Sequence, residues 1–89
     1  MTLTRAEFLR SLQPLRRYYH CRVHPGEREI TIDDGPRRVS IVLGAESQRR
    51  QGALALPTLD VQLTYHGFDD ATLAEFHYRF DLSFRRGGG

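Results

Sequence analysis

The chain has no tryptophan, no lysine, one cysteine and one methionine among its 89 residues. A single cysteine cannot close an internal disulfide, so nothing calls for an oxidising compartment. No apolar run approaches the ~18 residues of a membrane-spanning helix, and the first residues lack the apolar stretch of a secretory signal. The expected location is therefore cytoplasmic, with no membrane partner. A glycine-rich phosphate loop, a nucleophile elbow and a His-Glu-x-x-His pattern are also missing. The chain is expected to act without catalysis, to need no cofactor and to hold no evident small-molecule site.

What is present fits one small folded domain. Hydrophobic residues make up 39% and charged residues 27%, a balance that supports a core rather than disorder. At this length a second core would have almost nothing to bury. All 13 basic residues are arginine, a bias expected of a GC-rich, bacterial-style coding sequence. The charge is blocky. Arg5, Arg10, Arg16, Arg17 and Arg22 face only Glu7 in the first third, whereas Asp60, Asp69, Asp70, Glu75 and Asp81 face only Arg79 near the end. These blocks are expected to attract each other within the fold, and a pI near 9.1 alone is no nucleic-acid footprint.

The hydrophobic period predicts α+β architecture in the order αββββα: a four-stranded antiparallel sheet with N-terminal and C-terminal helices on one face. Thr4 and Glu7 have the spacing of a capping box, and Leu3 and Phe8 that of a hydrophobic staple. Pro14 is expected to end this helix. Alternation of Tyr19, Cys21 and Val23 with Tyr18, His20 and Arg22 predicts a first strand over 16–23. Ile30 and Ile32 mark a second strand, and Val39, Ile41 and Leu43 a third, with turns at His24–Glu27 and Asp34–Pro36.

Residues 44–53 are polar and bounded by glycines, so they read as a flexible loop or a long hairpin tip. Leu59, Val61, Leu63 and Tyr65 form the strongest strand pattern. Leu54 and Leu56 have the opposite parity, so a bulge or bend, and an edge position, are expected at Pro57. Asp69 or Asp70 caps a last helix with the stripe Leu73, Phe76, Phe80 and Phe84, and Gly87 is its expected C′ residue. Residues 87–89 are expected to form a frayed glycine tail.

Several constellations invite a functional reading. His20, Cys21 and His24 suggest a metal, but on a strand Cys21 points away from both histidines, which lie about 13 Å apart at ~3.3 Å per residue. His66 and His77 have no paired neighbour, so no metal is expected. Asp33-Asp34 and Asp69-Asp70 fit a turn and a helix start. The arginine pairs are the main candidates. Arg49 and Arg50 on the 44–53 segment, with Arg37 and Arg38 on the preceding hairpin, have the chemistry to grip phosphates, and an outward Tyr18 to stack a base. The same residues suit a protein partner.

Val42, Leu82, Tyr18 and Tyr78 fall outside the buried stripes and are candidates for a contact patch. The edge near Leu54–Leu56 offers strand addition. The ending Arg86 to Gly89 resembles the tails of ubiquitin-like modifiers and small sulfur carriers. That resemblance implies a terminal Gly88-Gly89 carboxylate activated by adenylation, although those folds place the helix between strands. The functional expectation is a small interaction module that binds a protein partner or a second copy of itself. A nucleic-acid binder using the arginine loops is the alternative, and a Gly-Gly carrier the third reading.

Overall fold

A computed structural model describes residues 1–87, with Arg86 and Gly87 described by their backbone alone. The chain forms α1 (Arg5–Ser11), a 3-10 helix (Gln13–Arg17), β1 (His20–Val23), β2 (Glu29–Asp34), β3 (Arg37–Gln51), β4 (Leu54–His66) and α2 (Asp70–Gly87). The four strands make one antiparallel meander in the order β1-β2-β3-β4. The helices cover one face. No helix among the described residues is long and apolar enough to cross a membrane.

Both helix starts follow from local chemistry. The Thr4 hydroxyl accepts from Glu7 N at 3.1 Å while Glu7 Oε1 accepts from Thr4 N at 3.0 Å, which satisfies two backbone donors that the first turn leaves free. Asp69 caps α2 by accepting from Thr72 N at 2.8 Å. α1 ends at Ser11, ahead of Pro14 as expected, but Pro14 has a second role that was not expected. It opens the 3-10 helix near its first position, where a residue without an N–H loses nothing. Residues 16–19 therefore precede the sheet, and β1 starts at His20 rather than Arg16. α2 runs through Gly87, one residue past its expected end.

The core lies between the helices and the inward parity of each strand. Phe8, Leu12 and Leu15 meet Cys21, Ile30, Ile32, Val39, Ile41, Leu43 and Leu59, with Phe76 fully buried at the centre. Phe80 and Phe84 stack at 4.4 Å between centroids, and Phe84 lies 4.9 Å from Phe8, so the aromatic stripe fastens α2 to α1. Ser83 is buried and donates to the Ser11 carbonyl.

The segment 44–53 is not a loop. β3 continues to Gln51, a turn at Gly52-Ala53 closes the hairpin, and Gln51 pairs with Leu54. Gly52 takes the positive φ of 60° that this tight turn requires. The register shift expected at Pro57 lies instead on β3. Leu43 pairs with Val61 but Glu46 with Leu59, so Gly44 and Ala45 together oppose Asp60. A Cβ on Gly44 would stand 2.9 Å from Asp60 Cβ, which explains glycine at the bulge. β4 runs straight through Pro57, so Leu54 keeps the parity opposite to Leu59 and stays 64% exposed.

Candidate functional site

The arginine pairs do not form one cluster. Arg37 and Arg38 start β3, whereas Arg49 and Arg50 lie near its end, on the order of 35 Å away at ~3.3 Å per residue. Arg38 Nε donates to Asp33 Oδ1 at 2.8 Å, and Arg37 donates to Asp34 at 3.2 Å. The charge of the first pair is thus answered by its own hairpin, and the hydrogen bond from Arg38 holds the Asp33 carboxyl below its usual range. Arg49 and Arg50 point to opposite sides of the exposed ribbon, where they face Leu56 and Ala55 in register.

The expected attraction between the basic and acidic blocks also takes another form. The ion pairs among the described residues are Arg37–Asp34, Arg38–Asp33 and Arg79–Glu75, all between neighbours in sequence.

Tyr18 is 50% exposed as expected, but it lies just past the 3-10 helix rather than on the sheet. The Arg79 guanidinium sits 4.2 Å from its ring centre and also donates to the Tyr19 hydroxyl at 3.3 Å. That hydrogen bond, with Glu75 nearby, stabilises the charged form of Arg79. Around it Pro14, Leu15, Tyr18, Tyr78 and Leu82 line a groove of about 470 Å³. Tyr78 is 66% exposed at this groove, whereas Val42, 45% exposed, belongs to the opposite face of the sheet. Three of the four candidate patch residues, Tyr18, Tyr78 and Leu82, thus share this groove, and Val42 stands apart from them.

Among the described residues, no three His, Cys, Asp or Glu side chains converge as metal ligands would. Cys21 is buried, which pushes its thiol pKa up, and His24 Nε2 bonds to Thr31 Oγ1 at 2.7 Å. Gly88 and Gly89 lie outside the described residues.

The outer edge of β4 presents unsatisfied backbone. Leu59 N donates to Met1 O at 2.7 Å, and Met1 N donates back to Leu59 O at 2.7 Å. This reciprocal exchange is an antiparallel pair, and it shows that odd-numbered residues of β4 turn their N–H and C=O away from β3. Pro57 occupies one of those positions, so its missing N–H costs no ladder bond. This bears out the expected edge position. Val61, Leu63 and Tyr65 are the next outward residues, and among the described residues no backbone partner meets them.

Gly67, with φ of 77°, then turns the chain inward; a Cβ there would stand 2.6 Å from Pro36 O. Phe68 follows, packing edge-on against Tyr65 with centroids 6.0 Å apart. The Tyr65 hydroxyl meets His77 Nε2 at 2.9 Å, and burial raises the Tyr65 pKa. The edge is thus backed by a packed aromatic wall while its backbone stays open. The alternation of β4 alone did not say which parity faced outward; the position of Pro57 carries that signal.

No protein-family model matches the chain, and no curated protein or solved structure matches it.

Proposed function

We propose that this protein is a small non-catalytic interaction module that binds another polypeptide by adding a strand to β4. The observation that carries this reading is the run of outward N–H and C=O groups at Val61, Leu63 and Tyr65, bounded by Met1 on one side and the Gly67 turn on the other. An exposed edge of this kind templates pairing, and main-chain bonds supply affinity while alternate side chains supply selectivity. The edge lacks the usual protection: between Asp60 and His66 it carries neither lysine nor proline, and the register shift lies on β3 instead.

Val61→Pro tests the reading. It removes an outward N–H and leaves the bonds to β3 in place, as Pro57 already does. Wild-type protein immobilised in nuclease-treated host extract should retain polypeptide partners that the variant, folded by circular dichroism, releases. Identical partners on both proteins would refute edge pairing. Partners lost from wild type on nuclease treatment alone would place the arginine-rich ribbon, and nucleic acid, in its stead.

A further inference from the structure

We infer that the strand added to β4 is the same strand of a second copy, paired antiparallel about a two-fold axis at Leu63. The inference rests on the edge-pairing reading above and names its occupant. The bounds of the edge set the register. Met1 occupies Leu59, and its antiparallel direction sends Thr2 and Leu3 toward Thr58 and Pro57, away from Val61. At the other end Gly67 takes the chain inward toward Pro36. The open stretch therefore has Leu63 at its centre, with Val61 and Tyr65 as its flanking outward residues.

Placing two such stretches together pairs Leu63 with Leu63, Val61 with Tyr65, Gln62 with Thr64 and Asp60 with His66. Each outward pair exchanges two main-chain bonds. On the helix-covered side the pairs are apolar throughout, an aromatic ring against a β-branched side chain at each end. On the other side an acid meets a histidine twice, and an amide meets a hydroxyl twice.

Charge favours this alignment. The side chains of Asp60 and His66 have no ion pair or hydrogen bond among the described residues. Arg38 stands opposite His66 on β3 but is already paired with Asp33, so the partner's Asp60 would meet His66 itself. The arrangement is isologous: one surface complements itself, as a closed dimer requires. It also removes the free β4 edge, leaving β1 of each copy as the end of an eight-stranded sheet, twice the four strands of one chain.

The test uses purified full-length protein and reads self-association by sedimentation. Wild type should dimerise. His66→Glu, which sets two acids together at both ends, should weaken the dimer about tenfold, and adding Asp60→Arg should restore it. The register is read by cysteine pairing at exposed positions. Mixed Gln62→Cys and Thr64→Cys proteins should oxidise to a covalent heterodimer, because laterally adjacent residues of a non-hydrogen-bonded pair meet the spacing of a disulfide. Either variant alone should stay uncrosslinked under the same conditions.

Wild type that remains monomeric at about 1 mM, an unchanged His66→Glu protein, or crosslinking of the single variants would overturn the inference. A monomer whose capture from extract is still abolished by Val61→Pro would overturn the self-pairing alone and leave edge pairing standing. A monomer whose capture survives that substitution would overturn both.

Discussion

The two halves of the β3–β4 hairpin have the same backbone pairing and opposite fates. From Arg37 to Leu43 and from Leu59 to His66 the hairpin has a helix-covered face, and Val39, Ile41, Leu43 and Leu59 are buried there. Beyond the Gly44–Ala45 bulge most residues of the ribbon are exposed on both sides. Its ties to the body include a bond from Arg5 N to Glu46 Oε1 at 2.7 Å. The Ser47–Thr58 hydroxyl pair at 2.6 Å joins its two strands but does not anchor it. Ladder hydrogen bonds form in both halves. Only the proximal half adds the burial of apolar surface that dominates folding free energy. The distal half is therefore a projection that the core carries.

The largest effect expected from breaking this contrast is at Phe76. Truncation of this fully buried ring by Phe76→Ala should cost about 3–5 kcal/mol in urea denaturation, whereas Leu54→Ala on the ribbon should stay within about 0.5 kcal/mol. Gly44→Val comes next, because its side chain must displace Asp60 at the junction of the halves; a loss of about 1–3 kcal/mol is expected. Thr4→Ala, which removes a cap hydroxyl on the buried side, should lower stability by about 1 kcal/mol. Replacing residues 48–57 with Asn-Gly leaves Ser47 and Thr58, of the same parity as the present Gln51–Leu54 pair, to flank the new turn; it tests the ribbon as a whole and should move the melting temperature by no more than about 5 °C.

A gentler probe is pH. Backbone hydrogen bonds hold the Glu7 and Asp69 carboxyls below their ordinary values, as Thr4 N and Thr72 N donate to them. A carboxyl depressed on folding binds fewer protons in the folded state. Its stabilisation is complete above the unfolded values near 3.9–4.3 and disappears as pH falls through the lower folded ones. Midpoints in urea should thus decline below about pH 5, and Asp69→Asn should flatten that decline. The ribbon, whose only acid is Glu46, should contribute little to it. The smallest response is expected at Cys21: burial and the raised thiol pKa should keep it unreactive toward thiol reagents until the core opens.

Local pattern was enough to read much of this fold. The capping box at Thr4 and Glu7, the start at Asp69, the inward parity of Ile30, Ile32, Val39 and Ile41, and the order αββββα were all legible, because each depends on residues within a few positions of one another. The signals at Pro14 and Pro57 were present but ambiguous. Proline stops one helix or opens the next according to whether its missing N–H was needed, and it bends a strand or rests on an edge for the same reason.

The candidate site was legible only in part. Pro57 marked an edge, but the open backbone of Val61, Leu63 and Tyr65 depends on Met1 meeting Leu59 across 58 positions of sequence. The separation of Arg37-Arg38 from Arg49-Arg50 depends in turn on residues 44–51 continuing as strand.

By itself the sequence determined the elements, their caps and the buried face of the sheet, since side-chain period and terminal hydrogen bonding act over one or two turns of chain. Only the tertiary structure decided the bulge at Gly44–Ala45, the length of the ribbon and which backbone groups were left unpaired. Those features depend on the register between distant segments, where a shift of one residue changes every partner while the local pattern stays the same.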